Sequence, residues 1–309
     1  MDVSISAVIC TYNRAGYLRK ALQSLTDQSL PKEQYEVIVV DNCSTDNTKQ
    51  MIEEEFKHLT HFRYLFEPIS GANHARNRGW RNAQGKYVAF IDSDVIASPQ
   101  WLEKILEVFE TIRPQPGCVG GKIQPIWEAD RPAWLSDKLI FLLSILNISE
   151  TPIVLGPRQL LVGGNMAFPK HVLEEIGGFH VFMTRTGKKL LTLDENLEQE
   201  RLRSRGYHLY YHPEIAVWHH ILASRLTKSW FRRRTFWLGL SEATAQLHEK
   251  PFTLKRRLRM ALYRTRKILL SPQQWAFLAM PTNNPECFSQ KCSVLRELGY
   301  ILKLLRIAG

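Results

Sequence analysis

Residues 87–94 read YVAFIDSD, an apolar run that ends in two aspartates separated by a single serine. A continuous run of aromatic and β-branched residues is typical of a strand buried on both faces of a sheet. Asp92 and Asp94 therefore follow a buried strand, at the sheet edge where α/β proteins bind their ligands. The two carboxylates would repel each other there unless a hard divalent cation, shared with a phosphate, neutralises them. On its own the stretch is more typical of an ordinary polar turn, and it predicts a site for a metal ion and a phosphate only together with the ends of the other strands.

The same alternation of strand and helix is repeated before this stretch. Apolar runs at residues 6–10, 35–40 and 62–66 alternate with segments whose apolar residues recur at helical spacing. Repeated βα units predict a mostly parallel, doubly wound sheet with helices on both faces. Four prolines punctuate residues 113–134, which predicts a connecting region rather than a strand.

Polar side chains stand at the ends of the earlier strands as well. The first strand is followed by Thr11, Tyr12, Asn13 and Arg14, the second by Asp41, and the third by a segment that contains Arg76. Any one of these groups is typical of an ordinary polar turn, but their joint occurrence in chain order favours one binding site. The first of these loops lacks the GxGxxG fingerprint, which argues against a dinucleotide-dependent dehydrogenase.

Composition narrows the class of protein further. The 309 residues are 44% hydrophobic and 23% charged, which is typical of a globular chain and excludes a disordered or fibrous one. Lys and Arg number 41 against 30 for Asp and Glu, so the net charge of +11 favours an acidic partner. Five cysteines without a CxxC motif predict a reducing compartment, and neither a signal peptide nor a membrane-spanning segment is predicted.

Six segments together resemble the successive signatures of family 2 glycosyltransferases, which have the GT-A fold. They are SAVICTYNRAGYLRKALQSL (6–25), YEVIVVDNCSTDNT (35–48), GANHARNRGW (71–80), GKYVAFIDSDV (85–95), GGNMAFPKHVLEEIGGF (163–179) and RLRSRGY (201–207). The resemblance covers residues 4–220. It implies a nucleotide-sugar-binding half over 1–113, an acceptor and catalytic half over 114–222, and a basic helical extension over 223–309.

The resemblance also implies roles for the donor-side residues. The nucleobase and ribose would be held by Thr11, Tyr12, Asn13, Arg14 and Asp41. Asp94 would hold Mn2+ or Mg2+ on the diphosphate, Asp92 would contact the ribose or the sugar, and Arg76 would line the sugar-nucleotide site. A metal-bound diphosphate is a stabilised leaving group, so these roles agree with the chemistry that the two aspartates predict.

On the acceptor side, the resemblance places Gly164 and Asn165 near the sugar and identifies the acidic pair Asp194-Glu195 with the family's catalytic acids. Glu195 would be the general base for the acceptor hydroxyl, although the pair has the reverse of the family's usual order and Asp194 remains an alternative. His219 matches a histidine that contacts the metal or diphosphate in some GT-A enzymes, and His220 is the alternative. No QxxRW motif follows the pair, which implies transfer of single sugars.

The last third of the chain, from Arg225 to Arg266, interleaves basic and aromatic residues. It predicts two helices, the first packed through its aromatic side chains and the second in contact with an anionic membrane. A solvated helix or a nucleic-acid-binding patch would produce a similar pattern.

Together these features predict an inverting glycosyltransferase that moves one sugar, expected to be UDP-linked, to a hydroxyl of a glycan or lipid-linked acceptor in cell-surface polysaccharide synthesis. Its expected place is the cytoplasm, as a peripheral protein on the cytoplasmic face of the membrane, with no nucleic-acid partner. The alternatives are a metal-dependent nucleotidyltransferase, which would release pyrophosphate, and a non-enzymatic basic protein that binds nucleic acid.

Overall fold

The computed structural model describes residues 3–181, 194–249, 252–269 and 283–306. Within these ranges the chain forms two compact units. The first contains residues 3–126, 144–181 and 194–220, and the second contains 127–143 and the described residues from 221 onward. Over the part of the chain described, no helix is both long and apolar enough to cross a membrane.

The first unit is built around one mixed sheet. Its strands are β1 (Ile5–Thr11), β2 (Tyr35–Asp41), β3 (Phe62–Phe66), β4 (Tyr87–Asp92), β5 (Val95–Ala97), β6 (Cys118–Trp127), β7 (Ile153–Val154), β8 (Asn165–Pro169) and β9 (Leu209–Ile221). Its helices are α1 (Ala15–Thr26), α2 (Thr48–Glu55), α3 (Ala72–Arg81), α4 (Trp101–Thr111), α5 (Lys170–Ile176) and α6 (Asp194–Ser204).

The strands lie in the order β3-β2-β1-β4-β8-β6-β9-β5, and β7 pairs with β9. Strands β3, β2, β1 and β4 are parallel to one another, as the repeated βα units predict. Beyond β4 the sheet contains antiparallel pairs of strands. Strand β8 pairs antiparallel with β4 and with β6, and β5 pairs antiparallel with β9. The parallel half therefore ends at β4, the strand that carries the two aspartates.

Alternating side chains of the parallel strands pack on opposite faces of the sheet. Ile5, Ala7 and Ile9 join a core formed with α1, α2 and α4, whereas Val8 joins a second core formed with α3, α5 and α6. Successive residues of a strand point to opposite faces, so a strand covered on both sides must be apolar throughout. This explains the uninterrupted apolar runs and confirms the doubly wound arrangement of helices.

The prediction of a connecting region over 113–134 is wrong, because β6 occupies much of it. Strand β6 pairs with β8 through Val119 opposite Ala167 and Gly120 opposite Met166. Pro125 comes later in the strand, so its missing N–H does not interrupt those two pairs. Proline therefore marks a possible break in a ladder without excluding a strand at that position.

The second unit is helical, with α7 (Lys228–Glu249), α8 (Leu254–Leu269) and α9 (Pro285–Leu304). Phe231 of α7 is fully buried and packs edge-on against Trp134, so the first basic helix packs through its aromatic side chains as expected. Gly239 of α7 and Gly299 of α9 allow the two backbones to touch. A Cβ at Gly299 would lie 2.2 Å from the carbonyl oxygen of Phe236.

Candidate active site

The carboxyl ends of β1, β2 and β4 meet at one edge of the sheet. The register pairs Thr11 with Asp41 across β1 and β2, and Cys10 with Asp92 across β1 and β4. Since the strands are parallel, the polar residues that follow each one are delivered to the same edge. The structure thus brings together the donor-side residues that the sequence predicts for a single site.

Asp94 is buried and lies between the side chains of Arg14 and His219. Arg14 Nη1 donates to Asp94 Oδ2 at 2.5 Å, and His219 Nε2 lies 3.5 Å from the same oxygen. The pairing of Val95 with His219 between β5 and β9 holds the imidazole in this position. Of the two candidate histidines, His219 is the one that faces this carboxylate.

His220 occupies a different environment. Its ring packs edge-on against Tyr17, with 5.3 Å between the ring centroids, and its backbone N–H donates to the carbonyl oxygen of Asp94 at 2.9 Å. Successive residues of β9 point in opposite directions, so only one of the two imidazoles can face the Asp94 side chain.

Asp92 is more exposed than Asp94, with 47% of its side chain accessible. Arg76 Nη2 lies 3.7 Å from Asp92 Oδ1, and the buried Arg76 also donates from Nη1 to Asn73 Oδ1 at 3.0 Å. A Cβ at Gly164 would lie 3.0 Å from Asp92 Oδ2, so the absence of a side chain lets this backbone approach the carboxylate. Asp92 therefore forms the exposed side of the site, with the buried Arg76 and Gly164 next to it.

Asp41 is buried at the end of β2 and accepts two hydrogen bonds. The Ser44 N–H donates to Oδ1 at 2.9 Å, and the Tyr64 hydroxyl donates to Oδ2 at 3.0 Å. Burial and then the hydrogen bond to Asp41 raise the pKa of Tyr64, so its phenol stays a donor at neutral pH. The neighbouring Thr11 Oγ1 is buried without a hydrogen-bond partner among the described residues. A buried hydroxyl of this kind is suited to a ligand at this edge.

Asn13 holds the loops after β1 and β2 together. Its backbone has a positive φ of 51°, a conformation that asparagine tolerates better than most residues. Its side-chain oxygen accepts from the Thr45 N–H at 2.7 Å, and its own N–H donates to Ser44 Oγ at 3.0 Å. Tyr12, in contrast, is 56% exposed. Asn13 thus shapes the loop, whereas Tyr12 presents a ring to solvent.

Asp46 reinforces the same junction between the two loops. Burial alone would raise its pKa, but hydrogen bonds from Thr48 and from the Ala15 N–H outweigh that effect and lower the pKa. Asp46 is therefore ionised at neutral pH and links the start of α1 to the start of α2. The sequence indicates Asp46 as a candidate helix cap after the second strand, whereas Tyr64 is not distinguishable there from an ordinary strand residue.

Asn165 points into the core, away from the exposed side of the site. Its side-chain oxygen accepts from Trp101 Nε1 at 2.8 Å, and its amide donates to the Ile215 carbonyl oxygen at 2.8 Å. The residue is 1% exposed. Its role in the structure is to tie β8 to α4 and β9, next to the Gly164 backbone.

Helix α6 begins at Asp194, so the acidic pair opens a helix as the sequence predicts. The side chains of Asp194 and Glu195 lie outside the described residues. Further along, Glu198 accepts from the His180 N–H at 2.8 Å, and Gln199 exchanges hydrogen bonds with the Leu161 backbone at 2.8 and 3.0 Å. These buried polar contacts anchor α6 to neighbouring loops, and the sequence alone gave no signal for them.

Comparison with known families decides the class of protein. The family profile described as "Glycosyl transferase family 2" matches residues 6–177, more than half of the chain and the part that contains Arg14, Asp41, Arg76, Asp92 and Asp94. The chain belongs to glycosyltransferase family 2. The family predicted from the sequence motifs is therefore confirmed.

Two curated proteins illustrate how this glycosyltransferase relates to others. It is 26% identical over 251 residues to the glucosyl-dolichyl phosphate glucuronosyltransferase of Haloferax volcanii, an alignment that covers 79% of this chain and 78% of that protein. It is 38% identical over 101 residues to glycosyltransferase AglE of the same organism, but that alignment covers only 32% of this chain and 33% of AglE. The first relative is thus matched over most of its length and the second over a third.

Solved structures show the fold of the glycosyltransferase. The mannosyltransferase PcManGT from Pyrobaculum calidifontis, in complex with GDP-Man and Mn2+, has a TM-score of 0.58 at 17% identity, over 95% of this chain and 87% of that one. Residues 1–349 of TarS from S. aureus, in complex with UDP-GlcNAc, have a TM-score of 0.54 at 15% identity, over 99% and 91%. These likenesses confirm the predicted GT-A fold.

Proposed function

We propose that this family 2 glycosyltransferase moves one sugar from a nucleoside-diphosphate donor, a UDP-sugar in the first instance, to a hydroxyl of a glycan or lipid-linked acceptor. The observation that carries the proposal is the convergence of Asp41, Asp92, Asp94 and Arg76 at one sheet edge. The TarS complex with UDP-GlcNAc supports a UDP-sugar, whereas the PcManGT complex with GDP-Man keeps GDP as the competing nucleotide. The relative named for glucosyl-dolichyl phosphate supports a lipid-linked acceptor.

The nucleoside would be held at the ends of β1 and β2. Asp41 is fixed by Tyr64 and Ser44, the Thr11 hydroxyl is buried beside it, and the exposed Tyr12 ring offers an apolar face. Carboxylate and hydroxyl groups suit the hydrogen-bonding edges of a base and a ribose, and an aromatic face suits stacking on a base. Specificity for uracil would therefore arise from this corner of the site.

The described residues fit a divalent ion at Asp94. Its Oδ2 and His219 Nε2 lie 3.5 Å apart, near the roughly 3 Å that separates adjacent ligands of one octahedral ion. Among the described residues no group of three His, Cys, Asp or Glu side chains could hold a metal, so phosphate and water oxygens would complete the coordination. An imidazole ligand favours Mn2+ over Mg2+. The bound ion would act as a Lewis acid on the diphosphate.

Arg14 occupies the same carboxylate oxygen that the ion would use. Its guanidinium is about one-third exposed, at 36%, while the Asp94 side chain is only 4% exposed. A buried carboxylate needs a cation nearby, and Arg14 supplies that charge within the protein itself. We therefore place Arg14 as the counter-charge of Asp94, able to turn its free donors towards a diphosphate when one is bound.

Transfer would proceed by direct displacement with inversion at the anomeric carbon. The acceptor oxygen forms a bond to that carbon while the bond to the phosphate oxygen breaks, and the nucleoside diphosphate leaves with the bonding electrons. The acceptor proton passes to Glu195, or to Asp194 if the order of the pair is reversed, because a carboxylate is suited to act as the general base for a hydroxyl. Arg76 and the exposed Asp92 would contact the ribose or the sugar.

Titration calorimetry of UDP and GDP, with and without Mn2+, tests the donor half of the proposal. We expect Mn2+-dependent UDP binding by the wild-type protein and its loss in Asp94→Ala, with Asp27→Ala on the exposed end of α1 as the control. Tighter binding of GDP would overturn the choice of uracil. Release of pyrophosphate from UTP and a sugar 1-phosphate would instead indicate a nucleotidyltransferase, and salt-sensitive RNA binding without turnover would indicate a nucleic-acid-binding protein.

A further inference from the structure

Helix α8 exposes leucines on one side, which a helix packed only against its own protein would bury. The exposed leucines, called the leucine stripe here, are Leu254, Leu258, Leu262 and Leu269. Each is between 51% and 72% exposed. At 3.6 residues per turn these four positions fall within one quarter of the helix circumference. The stripe is therefore an apolar surface along four turns, interrupted by Thr265 between Leu262 and Leu269.

The face of the same helix directly beside the leucine stripe is buried. Ala261 and Ile268 are at most 9% exposed and belong to a core formed with α7 and α9. Arg264 reinforces this contact, since its Nη1 lies 2.6 Å from Glu297 Oε2 and its guanidinium stacks 4.2 Å from the Tyr300 ring. The leucine stripe is thus the exposed edge of an apolar face whose other edge packs against α7 and α9.

A row of cations runs beside the leucine stripe. Lys255, Arg259 and Arg266 are exposed, and helical spacing places them next to the leucines on the side away from the buried core. The sequence of α8, LKRRLRMALYRTRKIL, contains no acidic residue. We call these three residues the basic row. The outer surface of α8 therefore combines apolar side chains with uncompensated positive charge.

We propose that the outer surface of α8 docks the protein on an anionic lipid surface. Leucines at such an interface enter the boundary between headgroups and acyl chains, and adjacent Lys and Arg bind the anionic headgroups. A nucleic acid would match the basic row but would leave the leucine stripe in water. An acidic protein groove would need a partner of matching shape, whereas a lipid surface accepts the long, shallow outline of this helix.

Flotation with liposomes tests the docking surface on the full chain. Wild type is expected to float with vesicles of phosphatidylcholine and phosphatidylglycerol but not with phosphatidylcholine alone. Leu258→Ser/Leu262→Ser is expected to bind at least tenfold more weakly. Lys255→Gln/Arg259→Gln is expected to lose about 30-fold, because each cation near an anionic surface contributes about 1 kcal/mol, a factor of about five.

Matched controls distinguish the loss of this particular surface from the loss of charge or of apolar side chains elsewhere on the protein. Arg78→Gln/Arg81→Gln removes the same charge from exposed positions of α3, and Phe66→Ser/Val154→Ser removes two exposed apolar side chains of the first unit. Both are expected to float like the wild type. Flotation of the leucine variant at the wild-type level, or an equal loss in the controls, would overturn the proposal, as would absence of wild-type flotation.

The same samples distinguish this proposal from the transferase proposal. Residues of α8 lie outside the 6–177 segment that matches the family, and none is assigned to the donor site. UDP binding by the leucine and basic-row variants is therefore expected to equal that of the wild type. Retained flotation with no UDP binding in the wild type would overturn the transferase proposal alone, and retained UDP binding without flotation would overturn the docking surface alone.

Discussion

The two units of this protein use charge in opposite ways. In the first unit, buried carboxylates are paired with cations that are about one-third exposed: Asp94 is held by Arg14, and Glu36 accepts from Arg63 Nη1 at 2.7 Å and from Ser6 Oγ at 2.7 Å. In the second unit, the three cations of the basic row are exposed, and α8 contains no acidic residue. Buried charges fix the position of a few atoms, whereas exposed cations attract a charged surface without defining its geometry.

We relate the arrangement of charge in the first unit to catalysis and that in α8 to docking on a lipid surface. The family match ends at residue 177, so it covers the buried constellation of the first unit and none of the α8 cations. A carboxylate fixed by neighbours can hold one ion or one hydroxyl in place, which catalysis requires. A row of surface cations beside leucines can bind a lipid surface without requiring a defined arrangement of its headgroups. We therefore expect substitutions in the first unit to affect turnover and those in α8 to affect docking.

The largest effect is expected from Asp94→Ala. Removing the carboxylate leaves His219 alone of the two proposed ligands to hold the ion that would neutralise the diphosphate, so transfer should fall by about 10³ or more. Single-turnover assays with a UDP-sugar, followed by release of UDP, measure the loss. Asp27→Ala should retain wild-type turnover, and activity of the Asp94 variant within tenfold of wild type would contradict the metal role.

The next largest effect concerns the acidic pair that opens α6. Glu195→Gln should reduce turnover by about 10²–10⁴ while leaving UDP affinity unchanged, because the amide cannot accept the acceptor proton but the donor site is untouched. Turnover measured at saturating donor, together with UDP calorimetry, separates the two quantities. If Asp194→Asn has this phenotype and Glu195→Gln does not, the base is Asp194.

The sequence was most informative where burial and periodicity act together. The apolar runs of β1, β2 and β4 and the polar residues after them predicted the parallel half of the sheet and the edge at which Asp41, Asp92 and Asp94 converge. These features are local, since a strand buried on both faces must be apolar throughout. The carboxyl ends of neighbouring parallel strands lie at the same edge of the sheet, so the topology alone brings these polar residues together.

The sequence was least informative where a side chain's direction depends on distant residues. Asn13 and Asn165 stay predicted site residues, but the sequence did not indicate that Asn13 binds the loop after β2 or that Asn165 binds Trp101 and Ile215. Tyr64, which donates to Asp41, was not expected at all. Each of these contacts joins residues far apart in the chain, so no local pattern could have indicated it.

A smaller effect is expected from Gly299→Ala at the crossing of α7 and α9. The added Cβ would press on the Phe236 carbonyl oxygen, and such overpacking costs about 1–3 kcal/mol. Thermal unfolding should therefore begin at lower temperature, while UDP binding below that temperature remains at the wild-type level. Gly16→Ala, where a Cβ meets nothing within 4 Å, should leave the unfolding temperature unchanged or raise it. Equal behaviour of the two variants would contradict the close helix crossing.

The smallest effect is expected from Arg14→Gln, which tests whether buried charge in the first unit is compensated by the protein itself. Without the guanidinium, Asp94 should bind Mn2+ more tightly in the absence of nucleotide, by about fivefold, since a partly exposed ion pair contributes about 1 kcal/mol. Paramagnetic resonance of free Mn2+ measures this affinity directly. Arg19→Gln, which breaks an exposed pair with Glu55, should leave it unchanged. Weaker Mn2+ binding by Arg14→Gln would mean that Arg14 organises the metal ligands instead of competing with the ion for Asp94.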